Sequence, residues 1–522
     1  PLSTSSGRCT ACRRLKKNNR PGDASCVKGK EHIMLEKDSL AKIVGHDRVR
    51  DDAVSLAQFS RDQSFAPARR PDVVVYPETV EEIQAVIRYA NEVRVPITPF
   101  SSGLNFHGAA VPDHGGILLN LSRMNKIVLI DEKNLLVTVE PGVTYQQLQE
   151  YLLERGYRVM IPFGAAPGRS VLTSYLERDP VMAAASFEYG NALIMDTEII
   201  LPTGELLRTG VWSTGDKPGG FMGPVRHLLY RLWTGAQGTL GIMTKMCVQI
   251  NPLIRERKIF FLTFKDLSGV PGPLAAIQRR EIGLECFLIN TFNLAAMLAE
   301  GWEIPSSFPA APRQSDAFLR LKAELPPWTM VIALQGAPRH PWDKIAYEEE
   351  AVREECQRMN LHLTESLPGI PGLARMMAAE ILRPWRVLKK FNYRGSVHDL
   401  NFAVPLKKIN GMESVIKDTC LSHGYSQAAL GGYLLPIERG RAVHCEFDLH
   451  CDPADQGETE RVKRAWLEAS EALMNKGAYF SRPYGPWAEM MYRRSGTYTR
   501  TLKEIKDEVD PNHIMNPGKL CF

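Results

Sequence analysis

The chain lacks any long hydrophobic run. Its most apolar stretches, such as Asn191–Leu201, fall far short of the ~18 to 20 residues that cross a bilayer as a helix, so no membrane span is expected. It also lacks a dominant sign of charge. A formal net charge of +5 over 522 residues is small and the basic residues are spread out, which argues against nucleic acid as a partner. The one dense basic run, Arg13–Lys17, reads more simply as a solvated tail than as a binding arm. Cysteine is sparse: ten residues, most of them alone in apolar or mixed surroundings, suit reduced thiols rather than a disulfide framework. No apolar stretch follows the polar segment Pro1–Arg20, so no secretory signal is visible and a cytoplasmic location is expected. No GxGxxG follows a strand pattern anywhere, which disfavours a Rossmann dinucleotide fold.

What is present is the composition of a soluble globular protein, 44% apolar and 24% charged. The length exceeds what one compact core holds, so two or three domains are expected. Residues 1–65 read as an N-terminal extension, polar first and amphipathic helical from about Glu31. Within it Cys9, Cys12 and Cys26 could hold zinc with His32 as a fourth ligand, or belong to a loosely ordered tail. Without a second CxxC no metal is assigned.

From Pro67 the pattern changes. Asp72–Tyr76 is a β-branched run, Thr79–Asn91 has apolar residues at helical spacing behind an acidic first turn, and Val95–Thr98 is the next strand. Further strands are expected at Ile117–Leu121, Ile127–Ile130 and Leu135–Val139. A helix then runs from Thr144 through Arg155, with Gln147 as the partner in a capping box. Asn191–Leu201 and Glu205–Thr209 flank a hairpin signal at Pro202–Gly204. Gly241–Ile250 is a strand that stops at Pro252. Beyond it, strands Ile259–Phe264 and Thr329–Gln335 with helix Leu274–Arg280 suggest a second α+β domain, and 303–327 resembles a surface excursion. Glu460–Lys476 is a long amphipathic helix.

The loop Pro99–Pro112 (PFSSGLNFHGAAVP) follows a strand and is built from small residues. Main-chain N–H groups in such a loop can converge on a pyrophosphate without any basic side chain. It is not a Walker loop. Around it six segments recur in a set order: Arg70-Pro71-Asp72 with Pro77; the loop itself; Val139–Tyr145; Ser170-Val-Leu172 with Glu177-Arg178; Leu206–Gly210; and Gly235–Ile242. Asp510–Lys519 closes the chain. This ordered set resembles the FAD-linked oxidase superfamily of vanillyl alcohol oxidase and p-cresol methylhydroxylase, over about 67–252 and 440–522.

The resemblance implies an α+β fold: a two-part FAD-binding domain of the p-cresol methylhydroxylase type, a second α+β cap domain over the substrate, and a C-terminal segment returning to the flavin. The corresponding boundaries are 1–65, 66–253, 254–455 and 456–522. It implies FAD as cofactor, with Pro99, Ser101, Ser102, Gly103, Leu104 and Asn105 at the pyrophosphate. Ser170, Tyr189, Gly190, Gly238, Thr239, Ile242 and Asn516 are expected along the rest of the cofactor. His444 stands near the place of a histidine that is covalently bound to the flavin in some members, and a core histidine is the alternative. His444, Glu446 and His450 also fit part of a metal site of the D-2-hydroxy-acid dehydrogenases, since even spacing shares a strand face. The Glu-His-Gly half of that site is replaced by Ser481–Gly485.

Ala478–Tyr484 instead resembles the segment where 4-alkylphenol oxidases hold a substrate phenolate. Arg482 matches their arginine and would serve a carboxylate equally well; a structural ion-pair partner's role is its alternative. Ser481 replaces their tyrosine, and Tyr484 or Tyr492 could supply the missing hydroxyl. Other members' acidic residue near the flavin falls at Ala165 and a further tyrosine near Met182. His107 stands one residue out of step with another tyrosine. Arg482, Tyr484, His107 and Tyr492 are therefore the candidate catalytic residues. The expected reaction is oxidation of a small aromatic alcohol or alkylphenol; a D-2-hydroxy-acid dehydrogenase and a non-catalytic electron-relay subunit are the alternatives. A homo-oligomer is expected, with either oxygen or a cytochrome or iron–sulfur protein as electron acceptor.

Overall fold

The computed structural model describes residues 35–183, 193–215 and 227–522. Tyr189 and Gly190, and the N-terminal cysteines with His32, lie outside them.

The first sheet has four strands in the spatial order Val49–Arg50, Val73–Val75, Ile117–Asn120, Ile97–Phe100, and the last three run parallel. Helix Val80–Val93 connects the second of these to the fourth. It starts at a full capping box, in which the Thr79 hydroxyl accepts from the Glu82 N–H and the Glu82 carboxylate returns to the Thr79 N–H. Its Ile83, Val86, Ile87 and Ala90 repeat at helical spacing and are fully buried against the sheet. Each large apolar side chain so placed contributes roughly 1.5–3 kcal/mol of transfer free energy. The sheet is thus a rigid base from which Ile97–Phe100 launches the small-residue loop.

A second, antiparallel sheet of five strands follows in the order Ile127–Asp131, Leu136–Val139, Ile242–Gln249, Ile194–Ile200, Leu206–Arg208. The Pro202–Gly204 turn joins its last pair, with Ile200 opposite Leu206. The third sheet lies wholly within 257–451. Its six antiparallel strands are ordered Arg257–Phe264, Trp328–Gln335, Glu285–Asn290, Gly431–Ile437, Ala442–Cys451, Ser396–Pro405. Each sheet has its own apolar cluster.

The chain end returns to the first sheet. The Ile97 N–H donates to the Ile514 carbonyl at 2.7 Å, and the Asn516 N–H donates to the Ile97 carbonyl at 2.8 Å. The buried Lys506 ammonium donates to the Asp510 carboxylate at 2.5 Å and to the carbonyls of Thr239 and Met515 at 2.6 and 2.9 Å.

Four local expectations change. Leu40, Ala41, Val44 and Val49 are buried with the first sheet, and Val49 pairs with Val75. Residues from Leu35 on therefore share that core instead of extending from it. Thr144 caps helix Tyr145–Leu153, but Gln147 donates to the Asn125 carbonyl at 3.0 Å instead of closing a box. Pro252 does not end pairing, because Asn251–Pro252 lies against Tyr157–Arg158. Within 303–327, helix Asp316–Glu324 buries Phe318 in the large core, an anchor that the polar composition hides.

Candidate active site

The loop 101–110 forms one wall of a cleft. Facing it are the first turn of helix Val171–Leu176 and the segment Trp233–Met243. Two glycines let these walls meet. Gly103 has φ +65°, and a Cβ there would lie 2.6 Å from the Phe100 ring; Gly238 has φ +72°, and a Cβ there would lie 2.3 Å from Pro99 Cγ. Hydroxyls hold the loop in place. Ser101 and Thr173 share a bond of 2.6 Å, and the Ser170 N–H donates to Ser102 Oγ at 3.1 Å. Ser170 also caps its helix and donates to the Pro141 carbonyl at 2.6 Å.

The main chain of the loop is left with donors to give. Among the described residues nothing accepts from the N–H groups of Ser102, Gly103, Leu104 or Asn105. These residues are half-buried, so their N–H groups are open to a ligand, and four in succession at a cleft suit a diphosphate. Arg169 is the only cation lining this cleft among the described residues. It already donates to the Leu104 carbonyl at 3.0 Å and pairs at 2.5 Å with both Glu177 and Asp179. The donor set therefore fits FAD held through neutral groups. Ile242 lines the cleft, and the buried Thr239 hydroxyl donates to the Ala236 carbonyl. The Asn516 amide spans the rim, donating to Ala109 and Gln237 carbonyls at 3.2 and 2.6 Å.

A second cavity shares Asn105 and Arg169 with the cleft. Phe106, Phe163, Phe391 and Tyr433 give it aromatic walls, and the third sheet contributes Asp399, His444, Glu446 and Asp448. Alternation along the strand Ala442–Cys451 brings the last three to one face. The cavity carries three cations, Arg169, Lys390 and Arg482, against the carboxylates of Asp179, Asp399, Glu446 and Asp448.

Every cation is matched. Arg482 pairs with Asp179. Burial alone would raise the Asp179 carboxyl, but the guanidiniums of Arg169 and Arg482 outweigh it and hold it below the ordinary carboxylate range. Lys390 lies 2.8 Å from Asp448 and 3.2 Å from Glu446. Burial pushes the Glu446 carboxyl up to about 7 against the pull of that lysine.

His107 lines this cavity and a third one beside it. Its ring stacks on Tyr484 at 4.8 Å, and its Nε2 lies 3.7 Å from Asp399. Burial lowers its pKa, Asp399 opposes the shift and Arg482 adds to it, so the imidazole is neutral at pH 7. Burial also lifts the Tyr484 phenol well above 10. His444 is pushed down to about 3 by burial, with Arg482 adding to the effect, and its ring makes no hydrogen bond to another described residue.

Arg482, His107 and His444 thus line one cavity, and Tyr484 lines the third one beside it, joined to the first by its stacking on His107. Tyr492 does not: it lies on helix Pro486–Arg493, lines none of these three cavities, and neighbours Tyr498 and Cys521. His444 and His450 do not converge either. Six residues of strand span ~20 Å, too far for one metal ion. The His450 ring instead meets the Ala429 carbonyl at 3.0 Å and packs on Phe292. Among the described residues no three His, Cys, Asp or Glu side chains are grouped to hold a metal. Sequence reasoning missed Asp179, Lys390, Asp399 and Tyr433. They come from separate segments that only the tertiary fold joins, and no local motif marks them.

Two family models match the chain: "FAD binding domain" over residues 71–210 and "FAD linked oxidases, C-terminal domain" over 350–520. A probable mitochondrial D-lactate dehydrogenase of Danio rerio is 30% identical over 92% of this chain and 90% of its own length. The 4-cresol dehydrogenase [hydroxylating] flavoprotein subunit of Pseudomonas putida is 25% identical over 91% and 93%. A crystal structure of p-cresol methylhydroxylase with substrate bound superimposes with a TM-score of 0.78 at 19% identity, covering 93% of this chain and 96% of that one. Among the described residues no helix is long and apolar enough to cross a membrane.

Proposed function

Because the chain belongs to the FAD-linked oxidase superfamily and is an FAD-linked oxidoreductase, we propose that it oxidises a small, uncharged aromatic alcohol or alkylphenol in the aromatic-walled cavity beside the cleft. In this reading 66–253 and 456–522 hold the cofactor and 254–455 cover the substrate. The observation that carries it is the neutral His107, stacked on Tyr484 and facing Asp399, in a cavity that shares Asn105 and Arg169 with the cleft.

When bound, FAD supplies the two-electron acceptor for the hydride that leaves the substrate carbon. When the substrate is the alcohol, His107 takes the proton of the hydroxyl borne by the carbon that is oxidised. Asp399, 3.7 Å from Nε2, favours the tautomer protonated there and leaves Nδ1 to accept. Arg482, neutralised by Asp179, offers N–H donors without net charge. Phe106, Phe163 and Phe391 clamp a flat ring and exclude water.

Charge supports this substrate class over the 2-hydroxy acids. Among the described residues every cation lining the cavity is already paired with a carboxylate, so none is left free to hold a substrate anion. The neutral His444 imidazole in the cavity wall supports attachment of the cofactor through that ring. Acid precipitation that leaves the yellow colour in solution contradicts the attachment. For the electron acceptor we favour a cytochrome or iron–sulfur protein over oxygen, a choice in keeping with a relative named as a flavoprotein subunit. Anaerobic bleaching of the flavin band by 4-hydroxybenzyl alcohol, unaffected by chelators, tests the reading. Bleaching by lactate or glycolate alone overturns it.

A further inference from the structure

The cavity has two polar ends. One, at Arg482, Asp179 and His107, adjoins the cofactor cleft through Arg169 and Asn105. The other is built on the third sheet, where Tyr433 and Glu446 are direct cross-strand partners. Facing pairs like these sit ~5 Å apart at Cβ. Tyr433 is held by stacking on Phe163, ring centres 4.6 Å apart, and is almost wholly buried. Its buried hydroxyl makes no hydrogen bond to another described residue, although the residue lines the cavity. A buried hydroxyl left unsatisfied costs about 1–3 kcal/mol, so a ligand that reaches it gains what the protein lacks.

Glu446 is the natural companion. Its neighbour Asp448 is used up, accepting from Lys390 at 2.8 Å and from the Asn293 amide at 2.9 Å. Gly431, opposite Asp448, leaves room for that carboxylate: a Cβ there would lie 2.4 Å from Asp448 Oδ2. Glu446 keeps a single hydrogen bond among the described residues, from Lys390 at 3.2 Å through Oε1, and its other oxygen makes none. An unused carboxylate oxygen and an unused hydroxyl thus belong to facing cross-strand partners, which line the cavity and not the cleft.

We infer that Tyr433 and Glu446 form a specificity subsite for a hydrogen-bond-donating group, a hydroxyl or an ammonium, on the far side of the substrate from the carbon that is oxidised. This rests on the proposed function for the orientation of the substrate. Lys390 keeps the subsite from full anionic repulsion, so a neutral hydroxyl is accepted as well as a cation. A carboxylate meets Glu446 and Asp448 and is refused. The 2-hydroxy acids lack such a distal donor altogether.

The test uses four benzyl alcohols that differ only at the para position: hydroxyl, aminomethyl, methoxy and carboxylate. FAD-loaded wild type, Y433F and E446Q are each examined by calorimetric binding and by anaerobic bleaching. Wild type is expected to bind the hydroxyl and aminomethyl compounds on the order of tenfold more tightly than the methoxy compound, and the carboxylate most weakly. In E446Q the aminomethyl advantage falls to within about twofold, and in Y433F the hydroxyl advantage shrinks likewise. Equal binding of all four by wild type, or preferences untouched by both substitutions, overturns the subsite even if every alcohol bleaches the flavin. The expected preferences without any bleaching leave the subsite standing and refute the proposed reaction.

Discussion

Gly238 puts the apposition of the two cleft walls to the test. At φ +72° an alanine pays the left-handed strain, roughly 1–2 kcal/mol, and its Cβ must also displace Pro99, whose Cγ lies 2.3 Å from the Cβ position. Pro99 belongs to the strand that launches the loop and cannot yield alone, so G238A should push Trp233–Met243 away from 101–105. If the displaced donors lose about 1.4 kcal/mol or more of interaction, the FAD dissociation constant rises at least tenfold. Gly156 is the control. Its φ is +79° but a Cβ there meets nothing within 4 Å, so G156A carries the backbone strain without the clash. The assay is FAD titration of stripped protein, with thermal denaturation alongside. G156A should lose a little stability and bind FAD as wild type does, whereas G238A should lose affinity beyond its loss of stability. Unchanged FAD affinity in G238A refutes the reasoning.

Other consequences are equally direct. H107N should retain FAD and bleach on the order of 10²–10⁴-fold more slowly with 4-hydroxybenzyl alcohol, measured anaerobically by stopped flow. The buried His398, His444 and His450 are held neutral at about 3, 3 and 4, well below the ordinary 6.5. Unfolding lets each take up a proton below 6.5, so stability falls as pH drops, by roughly 2 kcal/mol per histidine between pH 6.5 and 5. The Glu446 and Glu380 carboxyls, pushed up to about 7 by burial, bind protons in the folded state and offset part of this loss. The readout is therefore the difference between variants: from urea midpoints, H398Q should lose roughly 2 kcal/mol less than wild type between the two pH values. The Lys506–Asp510 pair is buried and ties the Thr239 carbonyl to the chain end. K506M should destabilise by about 3–5 kcal/mol, because Asp510 is left charged and alone, and denaturation midpoints will show whether it does.

The loop 99–105 announces itself in the sequence by its small residues, whereas Ser170 and Gly238–Ile242 were named only through the ordered set of segments that carries the resemblance. The fold supplies only their meeting. The helix at 80–93 was visible because burial on one face imposes a period, and the strand at 73–75 because a β-branched run suits a strand that is buried on both faces. The substrate cavity was legible in part. Arg482, Tyr484, His107 and His444 could be named, but not that Asp179 neutralises Arg482 or that Lys390 lies between Glu446 and Asp448. Those pairings join residues 56 to 303 positions apart. The His444–His450 spacing suggested a shared ligand because it counted faces and not distance along the strand. Tyr492 was drawn in by its nearness to Arg482 in sequence, although helix Pro486–Arg493 carries it away from the cavity.

The central claim is that an uncharged aromatic alcohol gives up its hydride in the cavity lined by His107 and Tyr433. Anaerobic bleaching of the bound flavin across a panel of aromatic alcohols and 2-hydroxy acids, with and without chelator, tests it most directly. The account predicts rapid bleaching by 4-hydroxybenzyl alcohol that chelation leaves unchanged, and none by D-lactate or glycolate. Chelator-sensitive bleaching by a hydroxy acid, with the aromatic alcohols inert, would contradict it.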